Sequence, residues 1–184
     1  AISGLSQNSN TIEATATDTL GNVNSTASST LFVDSIAPVT PSIGSLPATI
    51  NVTSRNVTGT GEPGSVIEIY VSGNLVATGT VSVGSTYNIP VIGLPEGPSV
   101  IDVISLDPLG NPSPTASSTI FADSLAPAAP VITNLPATIN NTYYTVIGTT
   151  EAGSLVNVYI GTSLAGTANA VGGTFAVPII GLAQ

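Results

Sequence analysis

Hydrophobic positions along this chain fall in short alternating runs, and none has helical spacing. The clearest run is Val66-Ile67-Glu68-Ile69-Tyr70-Val71. Strand side chains alternate between faces, so Ile67, Ile69 and Val71 are expected to point inward. Leu155–Ile160 repeats the pattern, with Val156, Val158 and Ile160 inward and Asn157 outward. Thr11–Thr17 alternates too: Ile12, Ala14 and Ala16 read as inward, and Thr11, Glu13, Thr15 and Thr17 as outward. Further strands are expected at about 25–33, 55–60, 75–83, 87–92, 99–106 and 115–122. Turn residues separate them, in Thr19-Leu20-Gly21-Asn22, Gly61-Glu62-Pro63-Gly64, Gly73-Asn74 and Asp107-Pro108-Leu109-Gly110-Asn111. Pro38 to Leu46 reads as an edge strand, where proline's missing N–H does no harm. The pattern predicts an all-β fold, a sandwich of about seven strands.

The pattern also repeats. Asp34-Ser35-Ile36-Ala37-Pro38 returns as Asp123-Ser124-Leu125-Ala126-Pro127, an offset of 123 − 34 = 89 residues. The same offset links Asp18 to Asp107, Glu62 to Glu151, Pro47 to Pro136 and Tyr70 to Tyr159. A fixed period of this length marks an array of modules. Residues 38–126 read as one complete module, and residues 1–37 as the last two strands, F and G, of another. Residues 127–184 read as strands A to E of a third. Neither partial module closes a sandwich, because F is normally central in its sheet. Two explanations are open. The chain is a window on a longer array, or chains assemble head to tail, the F–G hairpin of one completing the A–E half of the next. The second is strand complementation through a contact that does not close on itself, so it generates a filament. The expected partners are therefore copies of the chain or adjacent repeats.

Composition narrows the chemistry. Only 6% of residues are charged, against about 25% in typical domains. Cys and His are absent and Arg55 is the single base, which removes thiolate and imidazole chemistry, zinc–thiolate sites, Schiff bases and the P-loop lysine. With ten acids and a net charge of −9, nothing could neutralise phosphates, so nucleic acid is not an expected partner. No apolar run reaches the ~18 residues of a membrane span. The absent side chains argue against an enzyme.

Eight of the ten acids fall in repeated pairs: Glu13/Asp102, Asp18/Asp107, Asp34/Asp123 and Glu62/Glu151. In a sandwich of this kind the B–C and F–G turns lie at the N-terminal pole. Glu62 and Asp107 should therefore meet Asp34 at the joint with the preceding segment. At a second joint, Asp18 of a neighbouring chain would sit beside Asp123 and Glu151. Like charges repel unless a cation or proton intervenes, and Ca²⁺ suits carboxylates with carbonyl and water ligands. The competing reading is turn chemistry alone, with these acids bonding their own backbone beside Pro and Gly. A glycosidase pair is disfavoured, because joint residues offer no substrate cleft. Asp102 also stands in an outward row with Val100, Ile104 and Leu106, a candidate lateral contact patch.

Gly59-Thr60-Gly61-Glu62-Pro63-Gly64-Ser65, the Tyr70 strand, the Asp107–Asn111 turn and Asp123–Pro127 together resemble the bacterial immunoglobulin-like repeats of large surface adhesins and biofilm-associated proteins. The resemblance implies tandem immunoglobulin-like sandwiches in an extracellular stalk or adhesive fibre, often with calcium at the joints. The chain departs from the family in lacking Trp, with Tyr87 and Phe175 where the family often has it, and in being poorer in Asp. A receptor- or carbohydrate-binding module is the alternative function, and the scarcity of aromatics weighs against it.

Overall fold

The computed structural model describes residues 2–182, which contain β-strands and no helix. Two compact units divide the chain, one up to Ser124 and the other from Leu125.

The first unit begins with a hairpin, β1 (Asn8–Ala14) and β2 (Ala27–Val33), paired antiparallel from Asn8↔Val33 to Ala14↔Ala27. A sandwich follows. Its strands are β3 (Ser42–Ile43), β4 (Thr49–Ile50), β5 (Ser54–Thr60), β6 (Val66–Val71), β7 (Asn74–Thr80), β8 (Thr86–Ile92), β9 (Gly97–Leu106) and β10 (Ala116–Ala122). They form a three-stranded sheet β3-β5-β8 and a five-stranded sheet β4-β10-β9-β6-β7. Every pairing is antiparallel except β4 with β10.

The expected edge strand over Pro38–Leu46 is shorter than its sequence suggested and divided. Ser42–Ile43 joins one sheet, and the chain then crosses to lay Thr49–Ile50 along β10 in the other. Pro41 and Pro47 flank the first piece, and proline gives a ladder no N–H. The other expected strands lie within a few residues of their positions.

The alternating pattern becomes the core. Ile67, Ile69 and Val71 of β6 pack with Ile101 and Val103 of β9, Ile120 and Ala122 of β10, and Val57, Ile89 and Val91 of the opposite sheet. Tyr87 is buried and donates its hydroxyl to the Ser42 carbonyl, 2.7 Å away. That ring lies where a side chain on Gly59 would go: a Cβ there would stand 1.9 Å from the Ser42 carbonyl oxygen. On β9 Val100 is 42% exposed while Asp102, Ile104 and Leu106 are half-buried, on the face opposite the buried Ile101, Val103 and Ser105.

The second unit has β11 (Val131–Ile132), β12 (Tyr143–Thr149) and β15 (Thr174–Ile180) in one sheet, and β13 (Leu155–Ile160) with β14 (Ser163–Asn169) in the other. Its core is smaller: Val146, Val156, Ala170, Phe175, Val177 and Ile179.

Candidate functional site

The joint between the β1–β2 hairpin and the sandwich brings together several polar residues that the repeat pattern singled out. Asp107 ends β9 and starts the turn to β10. Its Oδ1 accepts the backbone N–H of Leu109 at 2.9 Å and of Asn111 at 2.8 Å, and its Oδ2 accepts the Asn111 side-chain amide at 2.6 Å. Gly110 sits at φ 88°, a left-handed position that closes this turn with little strain for glycine. The same Asn111 amide nitrogen also donates to the backbone carbonyl of Asp34, 3.0 Å away. One asparagine thus ties the F–G turn of the sandwich to the end of the preceding hairpin.

These bonds favour the ionised carboxylate. The Asn111 side-chain bond first, then the turn's N–H groups, hold Asp107 below the usual aspartate value against a burial penalty that raises it. Asp18, at the equivalent position, makes the same turn with Leu20 and Asn22 and is lowered chiefly by the Asn22 side chain. Asp107 is only 6% exposed, whereas Asp18 lies in the open.

Asp34 caps its own linker, its Oδ1 accepting the Ile36 N–H at 3.2 Å. Glu62 lies in the β5–β6 turn, where its backbone carbonyl accepts Ser65 N–H and Oγ–H; its side chain is exposed. Asp123 and Glu151 are exposed as well, and Glu151 uses its backbone carbonyl to receive the Ser154 N–H. Asp34 and Asp107 are therefore linked through Asn111. Among the described residues, however, no three acidic side chains gather into a group that could hold a metal ion. The three-carboxylate calcium set expected from Asp34, Glu62 and Asp107 is not assembled. Each aspartate of that set has turned a carboxylate oxygen to its own backbone, the geometry of the competing turn reading.

A second clasp was not visible in the acid pairs. Glu96 accepts the Ser124 backbone N–H at 3.0 Å on Oε2 and the Ser124 hydroxyl on Oε1. Its carboxylate is lowered by the Ser124 side chain first and the backbone bond second. Gln7, 89 residues earlier, holds Ser35 in the same way, accepting its N–H at 3.0 Å and donating to its hydroxyl. Searching for repeated acids passes over this pair because one member is an amide. The usable signal was position, since both residues lie 28 before the serine of a repeated Asp-Ser.

No curated protein matches the chain in sequence. Among solved structures, the fibronectin(III)-like modules of Clostridium thermocellum CbhA are 19% identical with a TM-score of 0.36, over 44% of this chain and 93% of theirs. A 1.5-MDa bacterial ice-binding adhesin is 21% identical with a TM-score of 0.43, over 96% of this chain. The chain spans 64% of that adhesin structure. A biofilm-associated protein's BSP domain is 21% identical with a TM-score of 0.32, over 79% of this chain and 25% of its own. All three are distant likenesses. The family model of the bacterial Ig domain matches residues 37–122, the span from the joint through β10. Over those residues the sandwich is similar to the bacterial Ig domain.

Proposed function

We propose that the chain is a structural segment of an extracellular stalk or fibre, in which immunoglobulin-like sandwiches follow one another end to end. The observation that carries this is the clasped joint. Asn111 bonds the Asp34 carbonyl, while Gln7 and Glu96 each fasten the serine at the end of their own F–G strands. The Asn111–Asp34 bond crosses from one module to the next and limits bending there, which is the property a spacer needs. The module's surface suits the same role. It is nearly free of the Lys and Arg that trypsin-like proteases cut, with Arg55 the one exception. The likeness to adhesin and biofilm-associated domains is consistent with a cell-surface setting.

The test is topological. Antibodies raised against the chain are expected to label intact source cells, and external protease is expected to remove that label. Labelling only after the cells are permeabilised would overturn the proposal.

A further inference from the structure

β9 carries apolar side chains on both of its faces. Ile101 and Val103 point into the core, and Val100, Ile104 and Leu106 alternate with them on the outer face of the five-stranded sheet. A sheet with one solvated face normally alternates apolar and polar residues, whereas apolar residues on both faces mark a strand covered on both. The cross-strand register extends the outer row. Leu106 faces Val66, Ile104 faces Glu68 and Asp102 faces Tyr70 on β6, and Leu75 of β7 lies beyond Tyr70. Val66, Leu75 and Val100 are exposed. Folding does not call for this row. Thr11, Thr15 and Thr17 stand at the positions matching Val100, Ile104 and Leu106, 89 residues earlier, where β1 pairs with β2 in the register of β9 with β10. Threonine suits a strand much as valine does, so the apolar side chains add something the ladder does not need. Contiguous exposed apolar side chains mark interaction sites.

Two acids stand within the row, both half-buried. Glu68 accepts the Tyr70 hydroxyl on Oε2 at 2.7 Å, and Asp102 accepts the Ser117 hydroxyl on Oδ1 at 2.5 Å. Among the described residues, Glu68 Oε1 and Asp102 Oδ2 accept no hydrogen bond. The register makes Glu68 and Asp102 diagonal neighbours, a spacing of about 7–8 Å in an antiparallel pair. The chain's one basic side chain, Arg55, stands on β5 in the opposite sheet. This face thus combines two acceptors, an aromatic ring and an apolar surround, with no basic side chain of its own. The combination occurs once in the chain. β1 keeps an acid, Glu13, without the apolar row, and β13 has Asn157 where β6 has Glu68.

We infer that the outer face of β6 and β9 docks a different protein through a lysine or arginine set among apolar side chains. Charge complementarity selects this occupant. A purely apolar partner would strip water from both carboxylates and put nothing in its place, which is costly. A second copy of this chain would bring the same two acids, a net charge of −9 and a single base on the wrong sheet. A basic side chain answers each feature of the face. Its charge meets Glu68 and Asp102, its aliphatic stem lies along Val100 and Ile104, and the Tyr70 ring attracts a cation. Apolar neighbours on the partner then cover Val66, Leu75 and Leu106. Burial of the apolar row supplies affinity, and the charges set orientation and partner choice. The end-to-end stalk makes no use of this lateral face, so a contact here joins the stalk to a molecule beside it.

The probe is a library of random peptides displayed on phage and selected on the wild-type chain. Counter-selection uses a Val100→Thr, Ile104→Thr, Leu106→Thr variant, which carries the residues found 89 positions earlier. Enriched peptides are expected to hold Lys or Arg between apolar residues. Made synthetically, they are expected to bind the wild type and to lose about tenfold or more in affinity on a Glu68→Gln, Asp102→Asn variant. That variant keeps the shape of both side chains and an acceptor for Tyr70 and Ser117. Binding to the wild type should also weaken as salt rises. Circular dichroism checks that each variant folds, and if the threonine variant does not, the Glu68→Gln, Asp102→Asn variant serves for counter-selection. Enriched sequences no richer in Lys and Arg than the starting library, or equal affinity for the charge-neutral variant, would overturn the inference. So would a wild-type dimer in sedimentation that the threonine variant loses, since a second copy would then cover the face. None of these outcomes alters the labelling of intact cells.

Discussion

Ile120 and Leu31 occupy the same position of the F–G hairpin, 89 residues apart, and differ in what covers them. Ile120 is 3% exposed in the sandwich core, and Leu31 is 44% exposed. Truncating a buried Ile to Ala loses transfer energy and leaves a cavity, together about 2–5 kcal/mol. Substitution at an exposed site usually changes stability by no more than about 0.5 kcal/mol. For a module of this size each kcal/mol moves Tm by about 4–8 °C. Ile120→Ala is therefore expected to lower the Tm of the sandwich by roughly 8 °C or more, and Leu31→Ala by roughly 4 °C or less. The assay is thermal unfolding by circular dichroism in dilute protein. Equal losses from the two substitutions in dilute protein would show that the hairpin's inner face is already buried within one chain. That would refute this reasoning.

Two further outcomes follow from the joint. Glu96, Asp107 and Asp18 all have folded pKa values below their ordinary 4.5 and 3.8. Their stabilisation is full above the unfolded values and is lost as pH falls through the folded ones. Tm should hold steady above about pH 5 and decline below about 4.5. Glu96→Gln, which mimics the Gln7 clasp without a titrating group, should make that decline shallower; an unchanged acid profile would remove Glu96 from the account. Adding calcium, or a chelator, should leave Tm unmoved. A rise with calcium that disappears in Glu62→Gln would place a cation at the joint and overturn the hydrogen-bonded description.

The strands were legible because the module's core is built from period-2 alternation, which survives wherever both sheets are present. Ile67, Ile69 and Val71 are inward for that reason. The same pattern placed Ile12, Ala14 and Ala16 inward, and there it describes a face with no cover within its own unit: Ala14 and Ala16 are exposed, while Val103 and Ser105 at the matching positions are fully buried. Alternation states which face is apolar. Only the number of strands beside it decides whether that face is dry. The division of the first strand into β3 and β4 was hidden for a related reason. Thr49–Ile50 is strand because β10 lies along it, and the nearly identical Thr138–Ile139 is not.

The candidate site was legible in position, and its hydrogen bonding was not. Strand direction put Asp107 at the pole facing Asp34, and the structure links those two residues. Counting charge then pointed to a cation, since carboxylates in a chain with one base have few cationic partners. Amides supply the alternative. A side-chain amide donates two hydrogens, and Asn111 offers bonds both to Asp107 Oδ2 and to the Asp34 carbonyl. Neutral donors can therefore hold a carboxylate in its ionised form without a counter-ion. In a chain where Asn, Ser and Thr replace Lys and Arg, the residue to look for beside a repeated acid is a repeated amide or hydroxyl. Asn22 beside Asp18, Asn111 beside Asp107 and Ser117 beside Asp102 are cases here. A joint held by these amide and hydroxyl bonds should change in stiffness with pH through its carboxylates.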